Sequence, residues 1–125
     1  MTDEYEKLRI IQPRGPTIQA QAKLLAKVEF EKRGQVPVDV TLEVYETQGG
    51  ALIAVRRSMP IDFDGVEEVR ALVVEPIPMA QSLTTTALAR EQQERHFEVM
   101  TFFDWEDRAR TMARKLGWKL TKQVD

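Results

Sequence analysis

The chain carries one histidine and no cysteine, which limits the acid–base and nucleophilic chemistry available to it. A nucleophilic triad would have to use His96, but no Gly-x-Ser-x-Gly elbow is present to supply a serine. The absence of cysteine excludes a thiolate nucleophile, a disulfide framework and cysteine-based metal sites. His96 with Glu94 and Glu98 would bind a metal only weakly, because zinc sites ordinarily use three or four protein ligands. We therefore expect no catalytic residue, no metal site and no cofactor, and interpret His96 as a partly exposed strand residue.

Two further motifs have a simple structural interpretation. An acidic stretch comprises Asp62, Asp64, Glu67 and Glu68. It lacks the register of a calcium-binding loop, and acidic residues are favoured at helix N-termini, so we predict that Asp64 caps a helix. The glycine pair at positions 49–50 matches neither Gly-rich phosphate-binding motif, and it predicts a hairpin turn instead.

The C-terminal region is the most basic part of the chain. From Asp104 to Asp125 the sequence has six basic and four acidic residues, within a chain whose net charge is −2. The residues that we predict to contact a polyanion are Arg108, Arg110, Arg114 and Lys115. Acids in the first turn of a helix and bases in its last turn also satisfy the helix dipole, so the pattern has an equally simple structural explanation. Nucleic acid is therefore the alternative partner, not the preferred one.

Four other side chains suggest a contact with protein. Leu25 interrupts the polar positions of a long alternating segment, and Tyr45 is of a type common at interfaces. Ile10 and Ile11 lie in an N-terminal segment, residues 1–16, that Pro13 and Gly15 mark as an irregular arm. We interpret these four residues as an interface with a partner protein or with a second copy in a homodimer.

Strict alternation of apolar and polar residues positions these features. Every even residue from Ile18 to Phe30 is apolar, and the alternation resumes over Val36–Val44. This pattern is typical of an antiparallel sheet with one buried face. With a third strand over Ala51–Arg57, it predicts a three-stranded meander at the start of one α+β domain, residues 17–125.

The second half of the chain is predicted to add helices and a fourth strand. The apolar spacing favours a short helix over 65–74, although a strand from Val69 to Val74 is the alternative. Residues 79–95 are polar and helix-prone, and are either a loosely docked helix or a mobile connection. The sequence predicts strand four over His96–Phe103, and it predicts that Asp104 caps an amphipathic helix over 104–116. We expect Gly117 to end that helix and Trp118 and Leu120 to fold back onto the core.

These elements predict a sheet of about four antiparallel strands with helices on one face. The N-terminus lacks the apolar stretch of a signal peptide, and no apolar run is long enough to span a membrane, so we expect a cytoplasmic protein. The preferred hypothesis is a non-catalytic protein-interaction or regulatory module that self-associates. The alternatives are a nucleic-acid-associated factor and a ligand binder or enzyme with a sheet–helix pocket. The aromatic residues that suggest such a pocket are Phe97, Phe102, Phe103, Trp105 and Trp118.

Overall fold

The computed structural model describes residues 4–61, 65–78 and 84–122, and it confirms an α+β fold. Five antiparallel strands follow one another in the order β1-β2-β3-β4-β5, one more than the sequence predicts. The strands are β1 (Glu6–Ile10), β2 (Ile18–Lys32), β3 (Val38–Thr47), β4 (Leu52–Pro60) and β5 (Glu68–Val74). The helices are α1 (Thr85–Phe102) and α2 (Asp107–Lys115). No helix in the described ranges is long and apolar enough to cross a membrane.

β2 pairs with two strands and contains a bulge. Residues up to Ala22 pair with β1 and residues from Ala22 onwards pair with β3, and the bulge lies within the pairing with β3. Leu24 lies opposite Tyr45 and Ala26 lies opposite Val44, so Leu25 is an extra residue in the ladder. Such an insertion bends a strand and shifts the side chains beyond it to the other face.

The curled sheet has a core on each of its faces. The larger core includes Val40, Leu42, Val44 and Ala54, and both helices pack on it through residues such as Val99 and Met112. The smaller core, on the second face, joins β1 to the inner strands, and its buried members are Ile10, Ile53, Val55 and Val69. The hairpin of β1 and the start of β2 therefore folds over the second face.

The helix preferred over 65–74 is wrong, and the alternative of a strand from Val69 to Val74 is confirmed by β5. Val69 and Ala71 contribute to the second face, whereas Leu72 and Val74 pack on the first face with the helices. A strand that is covered on both sides is apolar at consecutive positions, and such a run resembles a helical spacing. The cap predicted at Asp64 lies outside the described residues.

The strand predicted over His96–Phe103 is also wrong, because these residues form the end of α1 and its C-cap. Thr84 caps the helix, with its side-chain oxygen accepting a hydrogen bond from the Ala87 amide at 3.1 Å. Of the segment 79–95, residues 79–83 lie outside the described structure and residues 85–95 are helical. The first turns of α1 are largely exposed, whereas Val99 and Met100 are buried.

The link between the helices differs from the predicted cap. α2 starts after Glu106, and the preceding Asp104 and Trp105 have φ values of 56° and 52°, in the left-handed region. After α2, Gly117 has φ 79°, as expected for a glycine that ends a helix. Trp118 and Leu120 pack against the larger core, which confirms their predicted return.

Candidate functional site

An apolar groove lies between β5 and α1. It has a volume of about 440 Å³. The lining residues are Leu72, Glu94, Phe97, Glu98, Thr101 and Phe102. Leu72, Phe97 and Phe102 are half-buried, whereas Glu94, Glu98 and Thr101 are exposed. The groove therefore combines an apolar floor with an acidic wall along one side of α1.

One arginine fixes α1 relative to the strands beside this groove. The Nε of Arg95 donates to the carbonyl of Glu75 at 3.0 Å, and its Nη2 donates to the carbonyl of Gly50 at 2.7 Å. Gly50 lies in the predicted β3–β4 turn, which is confirmed by a hydrogen bond from its amide to the Thr47 carbonyl. Because both acceptors are backbone atoms at strand ends, Arg95 ties the middle of the helix to the sheet.

β5 is an edge strand, and only part of its edge is protected. The amide of Ala71 donates to the side-chain oxygen of Gln12 at 2.9 Å, while Gln12 itself donates to the carbonyl of Pro16. The amide of Ala71 must therefore point away from β4, and that of Val73 points the same way because backbone groups alternate along a strand. Val73 is 39% exposed. The edge next to the groove thus presents backbone donors and acceptors to solvent.

The second face holds a buried ion pair. Glu43 is only 7% exposed, and its two carboxylate oxygens accept hydrogen bonds from Arg57 Nε at 2.8 Å and from the Tyr45 hydroxyl at 2.9 Å. Burial and this bond to Glu43 raise the pKa of Tyr45 to about 12. Burial lowers the pKa of Arg57, but the bond and charge of Glu43 outweigh it and raise that pKa overall. The three groups satisfy one another and leave no free acid or base for catalysis.

The His96 side chain also packs against another part of the fold. Its ring stacks on Trp118 with centroids 4.1 Å apart and planes inclined by 2°. Burial, with a smaller effect of the nearby Arg95 charge, lowers the pKa of His96 to about 4. Within the described ranges, no group of three or more histidine, aspartate or glutamate side chains is arranged to hold a metal ion. Asp62 and Asp64 of the acidic stretch lie outside these ranges.

Of the four residues predicted to contact a polyanion, one is bonded within the chain and three are exposed. Arg110 donates from Nε to the carbonyl of Trp105 at 3.0 Å, and its guanidinium lies 5.3 Å from the centre of the Trp105 ring. Arg108, Arg114 and Lys115 are exposed, and they form no ion pair with any described residue. Three of the four cations are therefore available to a ligand, whereas Arg110 stabilises the turn between the helices.

More cations lie close to the end of α2. A second groove of about 760 Å³ separates the first half of α1 from residues 117–122, and Arg90, Lys119 and Lys122 are among its lining residues. The side chain of Gln93 holds this segment by donating to the carbonyls of Lys119 and Thr121 at 3.1 and 3.0 Å. Among the described residues that line this groove, Glu94 is the one acid.

Of the four predicted interface residues, three have their main contacts inside the domain. Ile10 is fully buried in the second-face core, which leaves none of its surface for a partner. Leu25 packs against the larger core, and the Tyr45 hydroxyl is bonded to Glu43. Ile11 alone is well exposed, at 61%.

Comparisons with protein-family models, curated proteins and solved structures found no match to this chain. The candidate site therefore rests on the geometry of the chain alone. The sequence suggested a sheet–helix pocket that includes Phe97 and Phe102, and both line this groove. Its position was missed because a helix was preferred where β5 lies and a strand where α1 ends. The available signal was the helix-prone composition before His96, which continues without a glycine or proline to Phe103.

Proposed function

We propose that the protein is a non-catalytic interaction module that binds another protein along β5. The observation that supports this function is the exposed edge of β5 beside the groove that Leu72, Phe97 and Phe102 line. Unpaired strand edges bind extended chains, and proteins ordinarily cover such edges. Here the Gln12 side chain covers one position of the edge and leaves Val73 open.

The states of the polar side chains support a non-catalytic role. A general acid or base works best with a pKa near the working pH and within reach of substrate. His96 has a pKa of about 4 and lies against Trp118, and Glu43 is enclosed by Arg57 and Tyr45. These arrangements stabilise the fold and are poorly suited to proton transfer.

Position-specific crosslinking tests the proposed surface. A photoreactive residue would replace Thr101, which lines the groove, or Thr111, an exposed threonine of α2 that serves as the matched control. We expect a protein adduct in lysate from the Thr101 variant and little from the Thr111 variant. Equal adducts from both positions, or none from Thr101, would contradict binding along β5.

A homodimer is the alternative form of this proposal, in which a second copy takes the place of a separate partner, and we place the protein in the cytoplasm. The absence of cysteine is compatible with a reducing compartment, and fractionation of cells that express the tagged chain tests the location.

Light scattering across a concentration series tests the homodimer. A mass that stays at 14.4 kDa would exclude self-association and leave a separate partner as the remaining form of the proposal.

A polyanion is the second candidate partner. This candidate is supported by the exposed cations Arg108, Arg114 and Lys115, because no described residue forms an ion pair with them. Binding of a single-stranded oligonucleotide at low salt, with an affinity that falls steeply as salt rises, would support it. Replacing Arg114 and Lys115 by glutamate should abolish that binding. Undetectable binding at low salt would reject this candidate.

A further inference from the structure

The edge of β5 is open over a short and well-defined window. At one end the Gln12 side chain accepts the hydrogen bond of the Ala71 amide, and at the other the carbonyl of Glu75 is occupied by Arg95 Nε at 3.0 Å. Between them, Val73 directs its amide and carbonyl outward. The bond from Ala71 to Gln12 shows that an acceptor placed in the plane of the sheet can bind this edge. The window therefore suits the backbone of an extended chain.

Apolar side chains flank this window on both faces of the sheet. Leu72 lines the groove on the helical face together with Phe97 and Phe102. Val73, the next residue, projects to the opposite face and is exposed. Since side chains alternate along an added strand, such a strand would place one residue in the groove and the next beside Val73.

The charge on the groove identifies the type of strand that it would accept. Glu94 and Glu98 are one helical turn apart on α1, both line the groove, and neither forms an ion pair with a described residue. Burial lowers the pKa of Arg95 and the charge of Glu98 acts to raise it, but no ion pair with a described residue neutralises either carboxylate. Carboxylates beside an apolar floor attract lysine or arginine and repel acidic residues. The long stems of these basic residues would also pack on Phe97, because the guanidinium of Arg70 already lies over the Phe102 ring, 5.6 Å from its centre.

The same charges argue against a second copy as the occupant. A two-fold pairing of β5 edges would place the two α1 helices side by side on one face of a continuous sheet. Glu94 and Glu98 of each copy would then face the same pair of carboxylates across the seam. Like charges in such a position oppose association, so a different and basic chain is the better fit.

We infer that the β5–α1 groove binds a short, extended, basic segment of a different protein, which adds to the sheet as a sixth strand. This inference rests on the proposed function and specifies the partner that it requires. The backbone at Val73 provides the pairing, Leu72 with its aromatic neighbours provides apolar contact, and Glu94 with Glu98 selects positive charge.

Two synthetic probes and one pair of variants test the strand addition. The probes are short fluorescent peptides that alternate valine with lysine or valine with glutamate, titrated into the full chain and followed by anisotropy. Val73→Pro removes the outward amide, which edge strands tolerate, while Val73→Ala keeps the amide and removes two methyl groups, so it measures the effect of losing side-chain contact alone. We expect Val73→Pro to weaken binding of the lysine probe about tenfold and Val73→Ala only about twofold.

A charge reversal tests the selectivity. In the Glu94→Lys/Glu98→Lys variant we expect the glutamate probe to bind more tightly than the lysine probe. The matched control, Glu6→Lys/Asp39→Lys, makes the same charge change at two exposed positions away from the groove, and should keep the original preference. Thermal unfolding of every variant verifies that the fold persists.

The outcomes separate this inference from the proposed function. Equal binding of both probes to the wild-type chain, or equal effects of Val73→Pro and Val73→Ala, would overturn the basic added strand. If the Thr101 crosslink persisted in that case, the interaction surface would stand and the identity of its partner would be wrong. A dimer that Val73→Pro converts to a monomer would identify a second copy as the occupant and also overturn the inference.

Discussion

The imidazole of His96 lies flat against the indole of Trp118, with ring centroids 4.1 Å apart and an interplanar angle of 2°. The stack joins α1 to the segment that returns after α2, and Gln93 reinforces the same contact through bonds to Lys119 and Thr121. Burial in this stack and the charge of Arg95 keep the imidazole neutral, with its pKa at about 4.

The His96 stack predicts a loss of stability in mild acid. The unfolded chain binds a proton near pH 6.5, whereas the folded chain resists it until about pH 4, so stability falls as the pH decreases through this window. A His96→Phe variant keeps an aromatic ring without the titration. We expect its free energy of unfolding, measured by urea denaturation, to fall less than that of the wild type between these pH values. Parallel pH profiles would contradict this prediction.

Adjacent leucines in β2 should respond differently to truncation. Leu25 is the bulge residue and packs on the larger core, whereas Leu24 is 49% exposed. We expect Leu25→Ala to lower the free energy of unfolding by about 1–2 kcal/mol, since the side chain is half-buried. We expect Leu24→Ala to change it by less than about 0.5 kcal/mol. Denaturant unfolding measures both, and the opposite ranking would show that the bulge lies elsewhere.

This pair of leucines also shows how much of the fold the sequence contains. Alternation from Ile18 to Phe30 correctly predicted a strand, and its uninterrupted phase suggested a single buried face. The bulge at Leu25 makes the even positions face the smaller core before it and the larger core after it. Because both faces are covered, the apolar rhythm continues across the bulge, and periodicity alone cannot reveal the change.

The errors in the second half of the chain have a different physical cause. The run from His96 to Phe103 contains residues that favour strands, but it continues a helix that starts at the Thr84 cap. Tertiary packing of Val99 and Met100 on the sheet overrides that local preference. The groove requires a strand at Leu72 and a helix at Phe97, so the preferred helix over 65–74 and the predicted strand over His96–Phe103 concealed its position.

Breaking the partly buried Glu43–Arg57 pair should lower the free energy of unfolding. Glu43→Leu leaves the guanidinium without its partner, and we expect a loss of about 2–3 kcal/mol, at the low end for a buried pair because Arg57 is partly exposed. Glu43→Leu/Arg57→Leu should lose less than the sum of the two single variants, with a coupling of about 1–2 kcal/mol. Equilibrium urea unfolding of the wild type, the two single variants and the double variant measures this coupling. Additive losses would show that the pair contributes no coupling.

Two arginines of α2 should separate stability from ligand binding. Arg110 donates to the Trp105 carbonyl and lies over its ring, whereas Arg114 is exposed and has no ion-pair partner among the described residues. We expect Arg110→Ala to lower the free energy of unfolding by about 1–2 kcal/mol, because it removes both interactions at a turn with positive φ. Arg114→Ala should leave stability within about 0.5 kcal/mol of the wild type.

The same variants test whether α2 binds polyanions. If it does, Arg114→Ala should weaken oligonucleotide binding and reduce its salt dependence by about one counterion, while the folded fraction stays constant. Arg110→Ala should reduce binding mainly to the extent that it lowers the folded fraction, because the Arg110 guanidinium already contacts Trp105. Denaturant unfolding and a salt titration of each variant give the two quantities. A direct effect of Arg110→Ala on binding at full folding would show that its contacts with Trp105 open for the ligand.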